Sequence, residues 1–375
     1  MNKILMMSFA GLIPALFIFC AAKNVSGNSI NMKTTLTDAA TSWQGSLASS
    51  DDPQLQKLAE FEDRCDGAFS GMMVFQVFPP DGNAGRDMAA AIAKKVKEFA
   101  IYGVRPIVVV EPVSAADGAA VSFADIAAGK HDTALRTYFS EIKKTGVTDR
   151  QMGLWVPLPE PNTDSWGQAN SAPDDFVSAY NRYGMIFKEY FPTADIGPLL
   201  DSETYLWDAG NTAVVPLDPY LEGVNKSLVD SFGLQGFPWP YVGAGGLETD
   251  YDAASFLPAV QAIDAAKNLG TKSVWFNTGT FSSFYIDGKL VFPLATGQRA
   301  QILETILGQL VSARDVGMAV SVNIFAQDKS GEDEGIDWSY WKSSFDSSSA
   351  DGAALCDFTK RARSAGITLS VFDTK

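Results

Sequence analysis

The chain has 375 residues, 46% hydrophobic and 19% charged, a balance that supplies a large core and excludes disordered, collagen-like and coiled-coil proteins. A formal net charge of -15 sets the surface against phosphate backbones and anionic lipid, so nucleic acid is excluded as a partner. One histidine, His131, rules out a multi-histidine zinc site; neither a metal nor a cofactor is expected.

Met1 to Ala22 carries Lys3, an apolar stretch from Ile4 to Cys20, and small residues at Ala21 and Ala22, which reads as a secretory signal peptide over 1–22. The expected location is therefore secreted or cell envelope, extracellular or periplasmic. A lipid anchor on Cys20 is disfavoured by the bulky Phe17-Ile18-Phe19 before it. No later segment approaches the ~18–20 apolar residues needed for a stable membrane span in the mature chain. Residues 23–38 read as an N-terminal tail and 39–375 as a single domain, because no Pro/Gly/Ser linker divides it. Cys65 and Cys356 remain after cleavage, and an oxidising compartment lets them pair as a disulfide between the first helix and the last.

From residue 39 onward, β-like runs alternate with amphipathic stretches. Strands are predicted at 42–47, 72–78, 104–111, 153–159, 195–200, 229–236, 272–277 and 318–325. Helices are predicted between them, as at 86–102, where Met88, Ile92, Val96 and Phe99 fall at three-and-four spacing, and at 253–268, with Gly270 as its stop. Eight strands, each followed by a crossover, is the arithmetic of an α/β fold of the (β/α)8 TIM-barrel type. Ile367 to Phe372 is a further strand-like run outside that count.

In such a barrel the chemistry sits at the carboxyl ends of the strands. By this count those ends carry Glu111, Glu160 with Asn162, Asp201 with Glu203, Trp239 with Tyr241, Asn277, and the run from Asn323 to Asp328. Carboxylates gathered in an aromatic-lined cleft suit glycosidic bond cleavage, in which one acid protonates the leaving oxygen and a second group attacks or activates water. Pro159 and Pro161 on either side of Glu160 predict an extended, rigid backbone there. The acidic run Glu332-Asp333-Glu334 reads as a solvated loop rather than a calcium site.

The stretch Ala124-Asp125-Ile126-Ala127-Ala128-Gly129-Lys130-His131-Asp132, followed by a helix and then by Gly153 to Asn162 and Trp166, resembles glycoside hydrolase family 26, the β-mannanase and lichenase type. The family has a similar D-I-x-x-G-x-x-D run before its fourth strand. The resemblance implies a polysaccharide or oligosaccharide substrate of the β-mannan or β-glucan class, Glu160 as general acid/base, and Asn162 and Trp166 as substrate-binding residues; the aromatic residues Phe237, Trp239 and Tyr241 after strand six are read as further substrate-binding positions from their place at a strand end. Three positions depart from the family. Its histidine before the acid is Pro159, its tyrosine after strand six is Phe237, and its nucleophile position on strand seven is Asn277. Two outcomes follow: hydrolysis with Glu203, Asp201 or Glu111 as the second carboxylate, or a catalytically inactive barrel that binds glycan.

Overall fold

The computed structural model describes residues 33–37, 61, 63–65, 71–163, 172–202, 217–238, 240–243, 246–249, 251–286, 289–295, 297–325, 328–329, 336–337 and 348–373. In chain order the strands are β1 (Lys33–Thr37), β2 (Gly71–Phe78), β3 (Arg105–Ser114), β4 (Leu154–Pro157), β5 (Asp195–Ile196), β6 (Leu199–Asp201), β7 (Phe232–Gln235), β8 (Pro240–Gly243), β9 (Gly246–Thr249) and β10 (Ser273–Gly279). They continue as β11 (Ser283–Ile286), β12 (Lys289–Pro293), β13 (Ala319–Phe325), β14 (Asp328–Lys329), β15 (Ile336–Asp337) and β16 (Thr368–Asp373).

Ten of these make one sheet in the order β5-β4-β3-β2-β1-β16-β13-β10-β7-β6. Because β5 pairs with β4 and β6 pairs with β7, the stave they share closes the sheet into a ring. The interruption between them is local: Pro198 has no N–H to donate, and a Cβ on Gly197 would lie 1.9 Å from the Ser231 carbonyl oxygen. The eight parallel staves are β2, β3, β4, β5/β6, β7, β10, β13 and β16. The molecule is a (β/α)8 barrel.

Two expectations are corrected here. The run near 367–372 is the eighth parallel stave, and residues 33–37, assigned to a tail, form an antiparallel strand between the first and last staves. β1 has the sequence Lys-Thr-Thr-Leu-Thr, rich in the β-branched residue type that favours strands. The strand expected at 42–47 lies outside the described residues.

The helices on the outside are α1 (Gly82–Ile101), α2 (Phe123–Ala127), α3 (Asp132–Lys144), α4 (Asp149–Met152), α5 (Pro173–Tyr190), α6 (Asp218–Leu221), α7 (Ala253–Phe256), α8 (Ala259–Leu269), α9 (Gln298–Asp315) and α10 (Ala350–Ser364). Their ends have local causes. Thr148 and Gln151 form a reciprocal capping box at α4, and Asp174 and Asp175 sit in the first turn of α5, where the helix dipole favours negative charge. The stretch predicted as one helix over 253–268 divides into α7 and α8 with Pro258 between them, and Gly270 ends α8 in the left-handed conformation that glycine tolerates.

Inside the ring, Met73, Ile107, Val109, Leu154, Val156, Leu199 and Trp275 fill the lower barrel. Between ring and helices lies a second, larger core. There Trp155 stacks on Phe187 with centroids 5.4 Å apart and donates from its indole to the Tyr183 hydroxyl at 2.9 Å. Cys65, before β2, and Cys356, on α10, form a disulfide with a Cα–Cα distance of 5.1 Å, tying together positions 291 apart. Among the described residues no helix is long and apolar enough to cross a membrane.

Candidate active site

At the carboxyl ends of the staves a single register row runs through Asp201, Gln235, Asn277, Asn323 and Ser370, one residue from each of five neighbouring strands. Trp275 points into the barrel, so Asn277, two residues on, does too. All five are buried. Buried amides need partners, and these find each other. Asn277 Nδ2 donates to Gln235 Oε1 at 2.6 Å, and Asn323 Nδ2 donates to Asn277 Oδ1.

The row ends on two carboxyl groups. Gln235 Nε2 lies 2.8 Å from Glu160 Oε1 and 3.3 Å from Asp201 Oδ2. The two oxygens are therefore within about 6 Å of each other, on the short side of the carboxyl spacings that glycosidases use. Glu160 is 8% exposed and Asp201 1%. Glu111 stands near the mouth end of β3, on the face that Ile107 and Val109 present to the interior, and is partly exposed.

The backbone at Glu160 is not extended as the prolines suggested. Leu158 has φ 54° and Glu160 φ 53°, both left-handed. A following proline restricts mainly ψ, and the positive φ values are held by tertiary bonds: Leu158 N–H donates to the Val110 carbonyl at 2.9 Å, and Glu160 N–H to the Leu199 carbonyl at 2.8 Å. Such conformations cost roughly 1–3 kcal/mol each and gather at functional sites. Here they turn the Glu160 carboxyl toward Gln235.

Two residues expected to touch substrate are occupied otherwise. Asn162 gives both ends of its amide to the Asp201 backbone, donating to its carbonyl at 2.7 Å and accepting from its N–H at 2.9 Å, which makes it a bracket for the neighbouring stave. Phe237 is buried in an aromatic cluster with Phe281 and Phe325, its ring 5.6 Å from that of Phe325. Tyr241 lies on β8, in the hairpin that follows β7. Glu203, Trp166, Trp239 and the 332–334 acidic run lie outside the described residues. Among the described residues no three His, Cys, Asp or Glu side chains converge as a metal site.

The stave count also moves the roles taken from the resemblance. Glu160 follows the third parallel stave and Asn277 ends in the sixth, so neither stands on the stave that the family's acid or nucleophile would occupy. The fourth stave ends at Asp201, and the corresponding row position on the seventh is Asn323, again a carboxamide. Gln235 was missed because one glutamine at a strand end carries no sequence signal of its own. Its meaning lies in the register that places it between Asp201 and Asn277.

No protein-family model and no curated protein sequence matches this chain. Among solved structures, β-glycosidase BGL167 superposes with a TM-score of 0.51 at 13% identity, over 82% of this chain and 86% of the other. A structure from a study of two fungal β-1,4-galactanases gives a TM-score of 0.51 at 13% identity, over 81% and 90%. At such identity the likeness is one of fold, and the shared fold is the (β/α)8 barrel.

Proposed function

We propose that the protein cleaves glycosidic bonds in a polysaccharide of the β-mannan or β-glucan class after export from the cell, with Glu160 and Asp201 as the reacting carboxyl pair. One observation carries this reading: two buried carboxyl groups at the barrel mouth share the Gln235 amide donor. Glycoside cleavage needs one carboxylic acid and one carboxylate close together, and two like charges this near each other, shielded from water, favour holding one proton between them. Glu160, the more exposed of the two, serves as acid/base and Asp201 as nucleophile. The upper bound of about 6 Å on their oxygen separation admits the ~5–5.5 Å spacing of retaining enzymes. The sugar class rests on the resemblance of residues 124–166 to family 26. Export is supported by the leader-like first 22 residues and the Cys65–Cys356 disulfide.

The test is reducing-sugar release from a panel of β-mannans and mixed-linkage β-glucans. The unmodified protein should release sugar from at least one member, and Glu160→Gln should abolish that release. A second reading, glycan binding without turnover, is favoured by the carboxamides Asn277 and Asn323 on the sixth and seventh staves. Retention on a polysaccharide affinity gel, with no release from any panel member, would select it.

A further inference from the structure

The buried amides of the register row are joined in one direction. An ionised carboxylate only accepts, and a pair sharing one proton still offers acceptor oxygens, so Glu160 and Asp201 take the Gln235 Nε2, and this turns Gln235 Oε1 toward Asn277 Nδ2. Asn277 Oδ1 then faces Asn323 Nδ2, and the chain ends at Asn323 Oδ1, a buried acceptor to which nothing among the described residues donates. Each amide is fixed by the one before it, and the far end is open.

We propose that Gln235, Asn277 and Asn323 act as a one-way amide relay, in which Gln235 is the positioning residue of the Glu160–Asp201 pair and Asn323 is the remote position that sets its polarity. The catalytic consequence rests on the reading of that pair as the reacting groups; the relay itself does not. A donor facing the pair stabilises its ionised form, whereas an acceptor facing it stabilises the protonated form. Asn323 lies two links from the carboxyl groups and controls which of these they meet. Among the described residues Glu111 on β3 is a further carboxylate at these strand ends, and the buried Arg299 guanidinium lies just past β10, donating to the Thr280 carbonyl and paired with Asp351; β7, β10 and β13 contribute amides to the row.

The relay makes a reversal testable. In Asn323→Asp the new carboxylate only accepts, so Asn277 must turn its Nδ2 toward it and its Oδ1 toward Gln235. Gln235 then gives its Nε2 to Asn277 and presents Oε1 to Glu160 and Asp201. The readout is the side-chain ¹⁵N–¹H₂ resonance pair of Gln235, followed against pH in the full chain beside ¹³C-carboxyl labels on Glu and Asp. In the unmodified protein the Gln235 signals should track the carboxyl titration. In Asn323→Asp that tracking should be lost and the pair should titrate at higher pH. Asn323→Ser, which removes the amide without reversing the row, should retain it.

An added charge alone would move the titration but leave Gln235 following it. Undiminished tracking in Asn323→Asp therefore overturns the relay, as does its loss in Asn323→Ser. Asn277→Asp asks the same question one link nearer and covers a failure of Asn323→Asp to fold. None of these readouts depends on turnover. A working relay in a protein that releases no sugar would refute the hydrolytic reading and leave this one standing.

Discussion

Arg182 closes on Asp132 through two bonds, Nε to Oδ1 at 2.6 Å and Nη2 to Oδ2 at 2.9 Å, between residues 50 apart in sequence. Gly129 makes room for it: a Cβ there would lie 2.2 Å from Arg182 Nη2, and its φ of 81° suits glycine. Asp132 and Gly129 are two fixed positions of the run that resembles family 26. In this barrel they clamp the start of α3 to α5, and the run contributes architecture. Asp132→Asn should destabilise the fold by about 1 kcal/mol at neutral pH, a modest figure because both side chains are partly in water.

The acid dependence of that effect has a definite sign. The hydrogen bonds from Arg182 hold the Asp132 carboxyl below its ordinary 3.8. Its contribution is complete above the unfolded-state value and is lost as pH falls through the lower folded-state value. Urea unfolding should show the gap between the unmodified protein and Asp132→Asn narrowing below about pH 4. A gap that widens with acid would contradict the assignment.

Gly233 faces the indole of Trp275, and an added Cβ would sit 2.5 Å from its Cε2 and Nε1. Gly233→Ala should therefore cost about 1–3 kcal/mol by overpacking and shift the near-ultraviolet signal of the tryptophans. Unchanged stability would mean that the lower barrel can rearrange around the methyl group.

Replacing both Cys65 and Cys356 with serine should lower stability by up to about 5 kcal/mol, because the released loop is long and the unfolded chain regains its freedom. Chemical denaturation of the double variant, compared with the unmodified protein with and without reductant, measures this. An equal midpoint in all three would argue that the bond does not constrain the fold.

Asn162→Ala and Asp201→Asn should separate position from chemistry. Asp201→Asn removes the proposed nucleophile and should lower kcat by about 10³-fold or more while leaving the unfolding midpoint nearly intact. Asn162→Ala leaves the Asp201 backbone N–H and carbonyl without their bracket, so it should cost roughly 1–3 kcal/mol of stability together with a smaller loss of kcat. Parallel kinetics and unfolding curves distinguish the two patterns.

Hydrophobic periodicity made most of the elements legible, since α1, α3, α5, α9 and seven of the eight parallel staves follow from local spacing alone. Their numbering did not follow. Which run closes a ring depends on pairing between distant segments, such as Thr37 with Ser370 and Asn323 with Ser370, and no local pattern records it. Counting 42–47 as the first stave displaced each later one by a place, carrying Glu160 from third to fourth and Asn277 from sixth to seventh. The candidate carboxylates themselves were visible as strand-end residues. The amides that hold them were not, because Gln235, Asn277 and Asn323 acquire their roles only when the register sets them side by side.

The strand at 33–37 is held on one side by the first parallel stave and on the other by the last. A polypeptide made from its amino end thus presents this strand long before β16 exists to receive it. Ring closure waits for β16, and until then the early segment is an unsatisfied edge that a chaperone or another chain can occupy.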